Sequence, residues 1–533
     1  MTYRNKVRPL LASVLALALA APVQAQPRPP LAASDWLGSG TLTPPPREAS
    51  GWRPGLAIPP DAQAPARPRP RPEGAAESGP VGVSRLGGPD ADAIGLAAAA
   101  DIGLAEDFWA GATLEEAESA LAGPAPRLPV LDSAFRHVLT AQLTPPARAE
   151  GQEGALYLAR IDALMRLGAV DLAAALIDAA APDSAAVLAR RMDAALLAGD
   201  ERRLCAQLVR QPGLAPSLAA RIFCLAQGGD WPTAQLALAA GRLNGAVAPD
   251  LLPLLAAFLD DAQADDEAAL IPPEPMTPLA FRLLEAIGQP LPTTGLPLAY
   301  AMADLRANTG WKPRIEAAER LARAGDLDPR HLRAIYSEQP PAASGGVWDR
   351  VAAMQRLEAA LAQGDPASLA ATLPQAAAAM REGGLAAPFA QMFGADLVTA
   401  HLPGPAGRLA EVLAMAAATP EAQAALAAAP LPEDPGARWL RALATDAPLP
   451  AEGAPAEPPG APLAEALTVP TTPPEGPRGP AFLVALRDVD AGREGDLPRA
   501  AAGILALRGL GHEALARAAV LQLLLLPGPS GAD

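Results

Sequence analysis

The chain has 533 residues, half of them hydrophobic (50%) and only 4% aromatic, with a formal net charge of −16. That length accommodates several domains or one long array, at about 100–200 residues per domain, and the acidic balance argues against nucleic acid or an anionic membrane surface as the main ligand. The apolar residues are mostly alanine and leucine, which lose little side-chain freedom in a helix. Residues suited to pleated sheets are sparse and nowhere alternate. An all-α fold is expected.

The first 25 residues read as a secretory signal. Arg4, Lys6 and Arg8 form a basic start, Leu10 to Ala21 an apolar run, and Val23-Gln24-Ala25 a small-residue cleavage site before Gln26. The apolar run falls short of the ~20 residues needed to span a bilayer, and no later segment is long and charge-free enough, so the mature chain is expected to carry no membrane span. No cysteine follows the cleavage site, which excludes a lipoprotein anchor. The expected location is the periplasm, with cleavage after Ala25. The basic residues are nearly all arginine, Lys6 and Lys312 being the only lysines, which fits the coding bias of a GC-rich genome.

Residues 26–92 are rich in Pro and Gly and carry no helical period, Arg67-Pro68-Arg69-Pro70-Arg71-Pro72 being the extreme case. Such a segment buries too little apolar surface to offset its ordering entropy, so it is expected to be disordered. Trp36 and Trp52 stand within it as candidate docking peptides, in trans or back onto their own chain.

From about Ile94 helical runs alternate with Gly and Pro. Leu167-Gly168-Ala169 precedes Asp171, Ala198-Gly199-Asp200 precedes Leu204-Cys205-Ala206, and Gly229-Asp230-Trp231 precedes Ala234; Gly325-Asp326 and Gly364-Asp365 repeat the signal. Glycine suits the left-handed residue that ends a helix, and aspartate accepts the free N–H groups that open the next one. The interval drifts from about 30 to about 39 residues, close to the length of a helical hairpin with two turns. Ile271-Pro272-Pro273-Glu274-Pro275 separates a first array (93–270) from a second (271–445). A Pro-rich linker (446–480) and a terminal helical hairpin (481–533), turning at Gly509-Leu510-Gly511 and docking on the last face of the array, complete the expected organisation.

Gly168 with Ala173 and Gly229 with Ala234 resemble the turn of tetratricopeptide and Sel1-like repeats, over roughly residues 155–380. The aromatic pairs expected inside such repeats are mostly absent and the period drifts, so the resemblance implies a degenerate α-solenoid of helical hairpins. As a whole the chain also resembles secreted Ala/Pro-rich proteins of GC-rich Gram-negative bacteria, a likeness that implies no activity.

Cys205 lies early in one expected helix and Cys224 late in the next, with a reversal near Gln211 to Pro216 between them. Antiparallel neighbours at ~8–10 Å bring such positions level. In an oxidising compartment a Cys205–Cys224 disulfide is expected.

Chemical motifs are few. His137, His331, His401 and His512 are scattered, with no His-Glu-x-x-His, no metal-spaced His/Cys cluster, no Gly-x-Ser-x-Gly elbow, no Walker-type phosphate loop and no Ser-x-x-Lys. Thr309-Gly310-Trp311-Lys312 reads as a turn. Neither cofactor nor metal is expected, and no catalytic residue is assigned. Tyr300, Arg306, Trp311, Lys312, Arg314, Tyr336 and Trp348 concentrate aromatic and basic side chains in an aromatic-poor chain, making a candidate binding face. Burial is the first use of large aromatics, and the matching positions of Trp311 and Trp348 point to helix anchors. The expected function is a non-enzymatic periplasmic scaffold that binds a protein or peptide of the cell envelope. The alternative is a cell-wall-related factor, a peptidoglycan enzyme or its regulator.

Overall fold

The computed structural model describes residues 90–180, 184–260 and 270–526. The expected signal peptide, Trp36 and Trp52 lie outside them. Within the described residues the fold is all-α. The only regular strands are a two-residue parallel pair, β1 (Ala97–Ala98) with β2 (Ala141–Gln142). No helix among them is long and apolar enough to cross a membrane.

The helices follow in order. The first group is α1 (Leu114–Ala122), α2 (Pro129–Thr140), α3 (Ala155–Leu167), α4 (Val170–Ala180), α5 (Ala185–Ala198), α6 (Glu201–Arg210), α7 (Leu218–Gln227), α8 (Trp231–Asn244) and α9 (Leu252–Leu259). Next come α10 (Pro278–Ala286), α11 (Ala301–Asp304), α12 (Trp311–Arg323), α13 (Pro329–Tyr336), α14 (Val347–Gln363), α15 (Pro366–Glu382), α16 (Ala386–Thr399), α17 (Gly404–Ala417) and α18 (Pro420–Ala428). The last are α19 (Pro435–Ala444), α20 (Gly460–Ala466), α21 (Arg478–Asp490), α22 (Leu497–Gly509) and α23 (Glu513–Leu525). From α3 to α10, and again from α14 to α18, each helix packs on the next, as in a stack of hairpins.

The recurring turns have the expected chemistry at their glycines. Gly168, Gly199, Gly229, Gly325 and Gly364 all adopt positive φ, the region glycine enters without a Cβ penalty. Their aspartates divide. Asp230 accepts from Thr233 N–H, and Asp365 from Ala367 and Ser368 N–H, capping α8 and α15. Asp200 stands at the cap of α6 without a side-chain bond. Asp326 turns away from the next helix to accept from Arg136 at 2.8 Å.

The described residues begin at the end of the Pro/Gly-rich segment. Asp92 is buried and accepts from Gly154 and Tyr157 N–H, satisfying donors that α3 cannot satisfy itself. Arg160, fully buried on α3, donates to the carbonyls of Asp92, Ile94, Leu139 and Ala141, tying this entry to the small strand pair.

The stack closes on itself. α21 packs on α1 and α2, and α23 packs on α2, α17 and α19. Phe482 meets Phe108 edge to face, ring centroids 5.7 Å apart, and Gly479 lies so near Trp109 that a Cβ there would come within 2.7 Å of the indole. Asp490 accepts from Arg127 and Leu128 N–H at 3.0 and 2.8 Å, and Gln522 from Val130 N–H at 3.1 Å. The start of α2 is therefore capped by residues more than 350 positions away. One apolar core runs from Ala99 to Leu521. A second lies under α5–α10, where Leu279, Leu283 and Leu284 join Leu254 and Leu255.

Candidate functional site

The expected disulfide is present. Cys205 on α6 and Cys224 on α7 are bridged, Cα atoms 4.7 Å apart, and both cysteines are buried in the second core.

The residues singled out between Tyr300 and Trp348 do not form one surface. Tyr300 and Tyr336 are interior, at 4% and 1% exposure. The Tyr300 hydroxyl donates to Met276 O, and that of Tyr336 to Glu319. Burial raises both phenols above their ordinary pKa. Trp311 and Trp348 come together, ring centroids 5.1 Å apart, and Trp311 Nε1 donates to Ile335 O, joining α12, α13 and α14. Arg306 is held by Ala303 O and Glu285, Arg314 pairs with Glu338, and Lys312 pairs with Glu316 one turn along. Behind them, buried Glu319 accepts from Arg350, Arg323 and Tyr336. This region locks helices together, and among the basic residues singled out Lys312 is more exposed than Arg306 and Arg314.

An apolar surface lies elsewhere, on α8. Ala234 and Gly241 bury one side of that helix, Gly241 against Leu218 and Val247. The other side presents Leu236 at 71% and Leu243 at 90% exposure, one heptad apart, with Ala239 and Ala240 exposed between them. Trp231 flanks them at 43%, leaning on Phe258. Its signature was in the sequence. α8 carries Leu or Ala on every side, and such a helix needs cover all round. Only the tertiary structure reveals which side has none among the described residues.

Two adjoining cavities open where the closed stack meets itself, sharing Pro129, Ser133 and Gln391 on their walls. The smaller, about 520 Å³, is lined by His137, His512, Glu513, Phe482 and Gln391 among others. Burial lowers the pKa of both histidines, helped at His512 by the nearby Arg478 charge. The larger, about 820 Å³, draws its wall from α2, the ends of α3 and α12, the starts of α13 and α16, and Arg493. Burial lowers the pKa of Arg320 and Arg323 on that wall. Nothing in the sequence joined these residues, which come from segments spread between positions 125 and 493. Among the described residues no group of three or more His, Cys, Asp or Glu side chains is placed to hold a metal ion.

The fold defines an all-helical stack of hairpins closed by its own terminal helices. No protein-family model, curated protein or solved structure matches the chain.

Proposed function

We propose that the chain is an exported periplasmic scaffold, non-enzymatic, that binds a protein or peptide of the cell envelope through the apolar side of α8. The observation that carries this reading is the Leu236–Leu243 stripe. Two leucines exposed on one helix side, with alanines between them and an indole beside them, are what a protein partner covers. The likeness of the Gly168 and Gly229 turns to tetratricopeptide and Sel1-like repeats supports a scaffold role, as does the signal-like start ending at Ala25. The disulfide supports an oxidising compartment.

The test is crosslinking in intact periplasm, followed by capture of the chain through a C-terminal tag. Leu236→Glu with Leu243→Glu removes the stripe without touching the core and is expected to abolish specific prey. Prey unchanged by the double variant would overturn the reading, and sacculi or wall synthases captured independently of α8 would favour the cell-wall alternative. The N-terminus of the captured chain is expected at Gln26 by mass spectrometry; an intact Met1 would refute export by cleavage.

A further inference from the structure

The larger cavity has a charge opposite to that of the protein. Its wall carries seven arginines and two aspartates, in a chain with a net charge of −16. The partners of these arginines decide what the cavity can hold.

Two of the seven are neutralised. Arg136 is clamped by Asp132 at 2.7 Å and Asp326 at 2.8 Å, and Arg323 donates to Glu319 at 2.9 Å. The others lack a close carboxylate. Arg166 donates to Leu121 O, and Arg320 to Thr293 O and Leu296 O, so carbonyl dipoles fix these guanidinium groups; Arg166 has no carboxylate partner, while Asp304 opposes Arg320 through the Thr293 hydroxyl that both bond. Arg330 reaches Asp328 only at 3.9 Å. Arg127 and Arg493 have no side-chain partner among the described residues. Even counting Asp326, Glu319, Asp304 and Asp490, which sit behind the wall, seven guanidinium groups face six carboxylates.

The backbone adds to this field. α16 starts at the wall, where Ala387 and Pro388 line it, and no side chain caps its first turn. Its positive dipole end therefore lies against the cavity. The volume, about 820 Å³, falls within the range of small-molecule sites. Leu167, Leu298 and Leu327 give the wall an apolar part.

We infer that this cavity is a binding site for a small molecule carrying several oxyanion groups, carboxylate or phosphate, seated between Arg166, Arg320, Arg330 and Arg493 at the start of α16. Guanidinium groups held by carbonyls are already oriented, and each bound oxyanion gains charge-assisted hydrogen bonds without displacing a protein carboxylate. The inference is independent of the partner surface on α8, which lies on a different helix.

The experiment is isothermal titration of the full chain from Gln26 with citrate and, separately, pyrophosphate, with sodium chloride matched for ionic strength. One or both are expected to bind in the millimolar range or tighter, at one site per chain. Preference for citrate identifies a carboxylate ligand, preference for pyrophosphate a phosphate ligand. Arg493→Gln with Arg127→Gln removes two guanidinium groups that hold nothing in the protein, so the unliganded melting point should stay the same while affinity falls about tenfold or more. Arg493→Lys should retain most of the binding. Heat no greater than that of matched sodium chloride for both anions, or equal affinity in the double variant, would overturn the inference.

Discussion

Phe482 offers the sharpest test of closure. It is 1% exposed, packs edge to face on Phe108 at 5.7 Å and touches His512 at 4.6 Å between ring centroids. Phe482→Ala removes that contact and leaves a cavity, at a cost of about 3–5 kcal/mol with the lost aromatic pair included. In an open stack the cost would stay with α21–α23, since each hairpin touches only its neighbours. Here the same rings hold the first helices, and Asp490 on α21 supplies the acceptor for Arg127 and Leu128 N–H. Local opening of the start of α2 should therefore become easier by most of that amount, raising amide exchange there by about 10²–10³-fold. Exchange measured by mass spectrometry on the full chain should show lost protection in two separate windows, 478–526 and 108–132. Loss confined to 478–526, with 108–132 unchanged, would refute the reasoning.

Replacing Cys205 and Cys224 together by alanine releases a loop of 19 residues and should cost about 3 kcal/mol in the chain-entropy model; a urea midpoint equal to that of the parent would contradict it. Burial, acting against nearby Arg190, pushes the Asp193 carboxyl up to about 6 from 3.8, so the folded state holds a proton there that the unfolded chain has released. Stability from this group is complete below about pH 4 and is lost as pH rises through 6. Asp193→Asn should therefore gain stability relative to the parent by about 1–3 kcal/mol between pH 4 and 7, read from thermal melts at both ends; a gain that shrinks with rising pH would be the wrong sign.

Much of the local structure was legible because it is set by local chemistry. The Ala/Leu content made the fold helical. Glycines 168, 199, 229, 325 and 364 marked helix ends because only a residue without a Cβ enters positive φ freely. The Cys205–Cys224 pairing followed from helix direction, spacing and the expected oxidising compartment. Local pattern misled where a side chain had a distant use. Tyr300 and Tyr336 looked available for binding, yet each hydroxyl is turned inward, to Met276 O and to Glu319. Asp326 looked like a cap and is instead the partner of Arg136 on α2. Three features belong to the tertiary structure alone: which side of α8 is left uncovered, the closure of Phe482 on Phe108, and the gathering of Arg127, Arg166, Arg320 and Arg493 around one cavity. The last two depend on helices hundreds of residues apart settling at one distance and angle. Periodicity along the chain records which side of a helix is apolar, and carries no information about which remote helix will cover it.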